Sequence, residues 1–320
     1  MRVGVFHVNG LGDQIIAWPT LRALRSLFTG DLELWLGFGM HGALYRDVQM
    51  NALGRVFWAD KPKRILDVSK IVSDRPPLDL FISVSDWGSP SVVEIGRRLG
   101  ARRTVGLEGP FDELAPAVSG NMFDRLFSVA RHFNPALTLE QFAEPPRFSV
   151  AAEDAARRFV AEQRRPGERI LFVHPETKAD KMWSRDGFEF VLSRFLDAKP
   201  DVRLFLTSVK PFDLDLGVHQ SRLVWVDAHF ELALAIARHA DLFLGVDSAF
   251  LHASDLFRTP GVGLFGPTSE LDWGFRFARP SLCVSTGGAP MSELSAQCVL
   301  AALIEVDSEE PIGASRESAL

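Results

Sequence analysis

Between Asp241 and Thr268 the chain reads DLFLGVDSAFLHASDLFRTPGVGLFGPT, and the period of its apolar positions changes twice. Leu242, Phe243, Leu244 and Val246 form a short apolar run, the pattern of a strand buried on both faces. Gly245 interrupts the run lightly. Asp247 and Ser248 stand where the strand stops, and either can cap the helix that starts there. Leu251, His252, Asp255 and Leu256 follow at helical spacing. Thr259-Pro260-Gly261 ends the helix, Val262 to Phe265 forms the next strand, and Gly266-Pro267-Thr268 turns the chain. This is one αβ repeat with polar residues gathered at the carboxyl end of its strand, the end at which open α/β sheets bind ligands. A helix cap at Asp247 and a structural histidine at His252 would account for the same pattern, so the rest of the chain decides between the readings.

The N-terminal half repeats the alternation. Val3, Val5, Phe6 and Val8 make a first strand, and Asn9-Gly10-Leu11-Gly12-Asp13 a tight turn. A helix then carries Ile15, Ile16, Leu21, Leu24 and Leu27, with Pro19 expected to kink it. Gly10 and Gly12 let the backbone turn sharply and leave amides free to face a ligand. Asp13 is either the N-cap of this helix or a functional carboxylate. The pattern is not the dinucleotide fingerprint, because the third glycine is missing and Asp13 would repel a pyrophosphate. Strands are predicted at Leu32–Phe38, Val56–Trp58, Leu78–Val84 and Arg103–Leu107, the last closing this half. The strand Leu78–Val84 delivers Ser85 and Asp86 to its carboxyl end. Basic clusters at Lys61-Pro62-Lys63-Arg64, Arg97-Arg98 and Arg102-Arg103 are either solvated surface or a site for an acidic acceptor. Residues Phe111 to Thr138 read as loop-rich, and Glu144-Pro145-Pro146-Arg147 as a linker stiffened by paired prolines.

In the second half, a charged helix over Glu153–Gln163 leads to a strand at Arg169–Val173 that ends in His174-Pro175. The loop Glu176 to Lys181 is polar. Thr177, Lys178 and Lys181 stand just past the carboxyl end of that strand, where lysines can neutralise a diphosphate. A helix at Arg185–Leu196, strands at Val202–Leu206 and Leu223–Val226, and a helix at Phe230–Arg238 lead back to the first stretch. Cys283-Val284-Ser285 ends the sheet, Met291–Ile304 reads as a closing helix, and Asp307–Leu320 as a frayed tail. Two α/β domains follow, residues 1–147 and 148–320.

Composition narrows the class. The 320 residues are 47% hydrophobic and 24% charged, as in ordinary globular proteins, and the net charge of -6 gives nucleic-acid binding no support. Two cysteines outside any CxxC pair exclude a disulfide framework and argue against a zinc cluster. No window is apolar enough for a membrane helix, and the N-terminus enters a strand at once, which argues against a cleaved signal. A cytoplasmic location is expected.

Four blocks carry a family resemblance over nearly the whole chain. They are Gly10-Leu11-Gly12-Asp13 with Pro19 and Leu21; His174 through Lys181 to Trp183; Ala240 through Asp247-Ser248 to His252; and Leu264 through Gly266-Pro267-Thr268. In this order the chain resembles glycosyltransferase family 9, the ADP-heptose:lipopolysaccharide heptosyltransferases. The resemblance implies the GT-B architecture, two Rossmann-like α/β domains with parallel sheets facing across a cleft. It implies an acceptor-binding N-terminal domain and a nucleotide-sugar-binding C-terminal one. Asp13 matches the family's catalytic aspartate, Lys181 the lysine on the donor phosphates, and Thr177 the hydroxyl beside it. Asp247-Ser248 matches the Asp-Thr pair facing the donor, with serine for threonine, and His252 the histidine one turn on. No acid to hold a ribose follows Val202–Leu206, where Ser208-Val209-Lys210 stands instead.

The implied reaction is glycosyl transfer with inversion, in which Asp13 takes the acceptor proton. Lys181, the amides at the Ser248 helix start and Thr268 stabilise the leaving diphosphate, so no metal or other cofactor is needed beyond an ADP-linked sugar. Asp247 accepts hydrogen bonds from sugar hydroxyls. Lys178, Gly266 and Pro267 belong to the donor side, and Gly10, Gly12 and Asp86 to the acceptor side. The acceptor is a lipopolysaccharide core sugar or a small molecule, and a lipid-linked acceptor would bring the chain to a membrane surface. A GT-B epimerase, another sugar transferase and a non-catalytic nucleotide-sugar-binding module are the alternatives.

Overall fold

The computed structural model describes residues 1–7, 9–30, 32–36, 48, 51–55, 58–60, 63–68 and 76–309. Val8, Gly37, Phe38, Val56, Phe57, Lys61, Pro62 and residues 310–320, all named above, lie outside the described residues. The chain divides into two compact units, Met1–Arg147 and Phe148–Leu320.

In the first unit, β1 (Val3–His7) is wholly buried, as its continuous apolar run requires. It leads through Gly10 into α1 (Leu11–Leu27), which continues past a buried Pro19. Then come β2 (Leu32–Leu36), β3 (Asn51–Arg55) and the antiparallel pair β4 (Trp58–Asp60) and β5 (Ile65–Leu66). The unit continues with β6 (Leu80–Ser83), α2 (Pro90–Arg98), β7 (Arg103–Gly106), β8 (Glu113–Leu114) and α3 (Met122–Phe133). Six parallel strands form one sheet in the order β3-β2-β1-β6-β7-β8.

Two expectations are corrected here. The strand at Arg103 is not the last of the unit, because β8 pairs beyond it. The segment Phe111–Thr138 is not loop-rich throughout, since α3 occupies its centre. Met122, Phe123, Leu126, Phe127 and Ala130 recur at helical spacing and are buried, and the Asn121 side chain caps the Phe123 amide at 3.0 Å. The Arg22 guanidinium on α1 donates to the carbonyls of Phe142, Glu144 and Pro145 at 3.2, 2.7 and 3.0 Å. A long cation thereby holds the end of the unit, where three carbonyls have no strand partner.

The second unit begins with α4 (Val150–Gln163), β9 (Arg169–His174) and α5 (Arg185–Ala198). It continues with β10 (Val202–Leu206), β11 (Leu223–Trp225), α6 (Phe230–Ala237), β12 (Leu242–Val246) and α7 (Ala249–Phe257). β13 (Gly261–Phe265), α8 (Glu270–Trp273), β14 (Ser281–Ser285) and α9 (Ala296–Ser308) complete it. Its parallel sheet runs β11-β10-β9-β12-β13-β14, the same permutation as the first. In both, the first strand is central and the chain reverses direction of travel beside it, at β1/β6 and β9/β12. Ligands bind at such switch points, beyond the carboxyl ends of the strands.

The closing helix also differs from expectation. Met291–Glu293 is a separate short turn, and α9 runs four residues beyond Ile304, to Ser308. Asp307 is therefore not part of a frayed tail. Its side chain is almost wholly covered and meets Arg169 and, at 2.5 Å, Lys199. A negative charge with two cations near it is tethered, whatever its position along the chain. Burial pushes the Asp307 carboxyl up, but Arg169 and Lys199 outweigh this and hold it below the usual carboxylate value.

Asp307→Ala removes the anion that Arg169 and Lys199 share, although Arg169 keeps Asp201, and is expected to destabilise the second unit by about 1 kcal/mol, read as a lower urea midpoint. Because the folded-state pKa is depressed, the native contribution is present above about pH 4 and is lost as pH falls through the lower folded value. The midpoint difference between parent and variant should therefore shrink in acid; a difference constant with pH would show that the pairing is not ionic.

Candidate functional site

At the β9/β12 switch point the two strands approach closely. Gly245 pairs with His174, and a Cβ at residue 245 would lie 2.8 Å from the His174 carbonyl oxygen. The glycine that interrupts the apolar run is thus required by that approach. His174 itself is buried, and its Nδ1–H donates to the Thr207 carbonyl at 2.8 Å. Burial pushes its pKa down to about 4 and leaves the ring neutral at neutral pH.

Asp247 follows β12 and is only 5% exposed. It does not cap α7. Its Oδ2 accepts from Lys181 Nζ at 2.6 Å and Thr268 Oγ1 at 2.8 Å, and His252 Nε2 lies 3.6 Å from Oδ1. The Thr177 hydroxyl donates to the Asp247 backbone carbonyl at 2.9 Å. Burial alone would raise the Asp247 pKa; His252 and the Lys181 ammonium outweigh it and hold the carboxyl far below the ordinary range. The group is ionised, with Oδ2 taken by two protein donors and His252 beyond hydrogen-bond distance of Oδ1.

Five residues from four separate segments therefore meet: Thr177, Lys181, Asp247, His252 and Thr268. Ser248 holds the N-cap position of α7 but makes no capping hydrogen bond. Its Oγ and His252 Nδ1 are buried with no hydrogen-bond partner among the described residues. The first-turn amides of α7 are thus without a side-chain cap, in the orientation that attracts an anion. Lys178 is exposed and Pro267 is exposed, both outside this cluster. Gly266 packs against Met291, with room for no Cβ.

In the first unit the corresponding edge carries His7, Asn9, Asp13, Asp86 and Trp87. His7 is wholly buried; its Nδ1–H donates to the Val84 carbonyl at 3.2 Å, and burial pushes its pKa down to about 4. Asn9 Nδ2 donates to Asp86 at 3.1 Å, and Trp87 Nε1 donates to Asn9 Oδ1 at 2.7 Å. Asn9 and Trp87 are missing from the expected site, although Asn9 opens the predicted turn that leads into the first sequence block. Asp13 is not an N-cap. Gly10 holds that position, and the half-buried Asp13, three residues into the helix, accepts the Gly10 amide at 3.0 Å. Gly12 lies beside it within the first turn. The carboxylate reaches backward from the third helical position to the cap residue's amide, the backward half of a capping box.

Among the described residues no three metal-ligating side chains cluster, and no helix is long and apolar enough to cross a membrane. The sequence model of glycosyltransferase family 9 (heptosyltransferase) matches residues 93–303. Comparison with curated proteins found no match. Among solved structures, the chain is similar to a family 9 glycosyl transferase from Veillonella parvula, with a TM-score of 0.72 and 13% identity over 95% of this chain and 96% of that one. It is similar to E. coli heptosyltransferase WaaC with ADP, with a TM-score of 0.62 and 16% identity over 93% and 95% of the two chains. It is also similar to E. coli ADP-heptose lps heptosyltransferase II, with a TM-score of 0.62 and 13% identity over 96% and 98%. At these identities the likeness is one of fold, that of the GT-B glycosyltransferases.

Lys181→Ala should leave Asp247 with less to offset its burial. Its folded pKa then rises, and the stability it supplies at neutral pH diminishes. The gap in melting temperature between parent and variant is expected to be widest at neutral pH and to narrow progressively in acid, because Asp247 is protonated earlier in the variant than in the parent, where its pKa is held lower. Melts across this range check it; an unchanged melt at pH 7 would mean that the pair contributes nothing.

Proposed function

The chain belongs to glycosyltransferase family 9, and on that footing we propose that it moves a heptose from ADP-heptose to an acceptor hydroxyl, with inversion at the anomeric carbon. The observation that carries the donor side is the meeting of Lys181, Asp247, Thr268 and His252 beside the uncapped start of α7. A diphosphate needs positive charge and amide donors together, and these lie at one strand edge. Two of the similar structures are of WaaC with ADP and with ADP-2-deoxy-2-fluoro heptose. That nucleotide is the natural first ligand to offer this chain.

In the proposed reaction, the acceptor oxygen forms a bond to the anomeric carbon as the bond from that carbon to the diphosphate oxygen breaks. The electron pair leaves with the diphosphate, and the acceptor proton goes to the Asp13 carboxylate. Asp13 suits the role because its position in the first turn of α1 is fixed by the Gly10 amide, while it remains half-buried rather than sealed off. Lys181 transfers part of its attraction from Asp247 to the phosphate oxygens, so its charge is already oriented before the donor arrives. Asp247 keeps Lys181 and Thr268 in place and is a positioning residue. The second unit takes the donor, and the first takes the acceptor, a lipopolysaccharide core sugar or a smaller molecule. The transferase needs no metal in this scheme.

Mass spectrometry of reactions containing ADP-heptose and a panel of acceptors tests the proposal; donor consumed with no glycosylated product from any acceptor would reduce it to hydrolysis. Asp13→Asn is the sharper probe. The asparagine oxygen can still accept the Gly10 amide, so folding and donor binding should persist. It cannot take a proton, so single-turnover transfer should fall by about 10²–10⁴. Transfer near the parent rate would remove Asp13 from the chemistry. On the donor side, Lys181→Ala should weaken ADP binding by about one to two decades in calorimetry.

A further inference from the structure

Two consecutive side chains in the loop after β9 tie it to opposite neighbours. Thr177 reaches toward β12 and donates to the Asp247 carbonyl at 2.9 Å. Glu176 reaches the other way, into the loop that follows β10. Its Oε2 accepts the backbone amide of Val209, and that of Lys210 at 3.4 Å. Both amides meet the same oxygen. Oε1 has no hydrogen-bond partner among the described residues, and the residue is half-buried. The carboxylate is therefore held by one oxygen and presents the other.

Its position has a chemical meaning in a sheet of this order. Where a nucleotide lies across a switch point of this kind, the acid that holds the ribose hydroxyls comes from the end of the second strand. The second strand here is β10, and Thr207-Ser208-Val209-Lys210-Pro211-Phe212 follows it with no acid. The two hydroxyls in that stretch are already used, Thr207 on the Val226 carbonyl and Ser208 on the Lys210 carbonyl. Asp213 is the next acid along the chain and is exposed. The carboxylate fixed against this loop comes instead from the first strand, through Glu176.

We propose that Glu176 binds the ribose hydroxyls of the donor nucleotide through Oε1 and so makes the site selective for ribonucleotides. This rests on the nucleotide-sugar reading above. The diphosphate group would lie on the β12 side, at Lys181 and the start of α7. A nucleoside attached to it and crossing the end of β9 then meets Glu176 on the β10 side. Hydroxyls donate to a carboxylate in charge-assisted bonds, and the two amides on Oε2 have already restricted the side chain. The alternative role, a tie between two loops, uses Oε2 alone and predicts no preference between ribose and deoxyribose.

Calorimetry on the full chain separates the two roles, with ADP, 2′-deoxy-ADP and 3′-deoxy-ADP as ligands. The parent should bind ADP about tenfold or more tightly than at least one deoxy form, the size expected for one hydrogen bond to a charged group. Glu176→Ala should bind all three alike, at the affinity of the weaker deoxy form. Asp213→Asn should keep the parent's preference. If the parent binds ADP and both deoxy forms equally, the ribose role is overturned while the donor reading stands. A preference that survives in Glu176→Ala, or disappears in Asp213→Asn, overturns it as well. Failure of the parent to bind any of the three removes the ADP-linked donor and the Glu176 role with it. Should Glu176→Ala fail to fold, the comparison on the parent needs no variant, and Glu176→Gln, which retains an acceptor for the Val209 amide, should show a reduced preference.

Discussion

Asp247 is a carboxylate withdrawn from water at the end of a central strand, and that position obliges its surroundings. A buried charge without partners is costly enough to be neutralised instead. Here it stays ionised because Lys181, Thr268 and His252 converge on it from three other segments. The loops after β9 and β13 and the first turn of α7 are thereby drawn to one place. Thr177 adds a tie to the same residue's backbone. The arrangement of charge that suits a diphosphate is thus a by-product of satisfying one acid.

The alternation of strands and helices was legible because strands buried on both faces are mostly apolar runs, and β1, β6, β9, β12 and β13 are of that kind, as is β10 apart from the buried Arg203. The edges were harder. β8 has two residues, Glu113 and Leu114, and neither its length nor its pattern separates it from a turn. α3 was obscured by the glycines and prolines on either side of it, although its own apolar spacing is regular. Asp307 was misjudged for another reason. A polar, acidic stretch reads as solvated until the cations that meet it are known, and Arg169 and Lys199 are more than a hundred residues earlier in the chain.

The candidate site divides in the same way. Residue types at strand ends pointed to Thr177, Lys181 and Asp247, the family resemblance added His252 and Thr268, and these five meet. What could not be read was the direction of each interaction. Asp247 faces Lys181 rather than open space, Asp13 reaches back to Gly10 rather than capping from outside, and Glu176 turns to the β10 loop. Each depends on which neighbour a side chain finds across the sheet, and strand order decides that. Asn9 and Trp87 show the same limit, since their bond joins segments 78 residues apart.

The shared strand permutation also bears on how each unit is assembled. The strand made first lies at the centre of its sheet and needs a neighbour on both sides. His7 and Val84 are 77 residues apart, and Ile170 and Asp241 are 71 apart. During synthesis β1 and β9 therefore keep one open, apolar edge until β6 and β12 emerge, and such an edge invites wrong pairing. The switch point closes only with that second neighbour. A nascent chain that stops before β12 thus has Thr177 and Lys181 but lacks Asp247, Ser248, His252 and Thr268 together, so the cluster at this strand edge is completed late, and Lys181 waits for the carboxylate it pairs with.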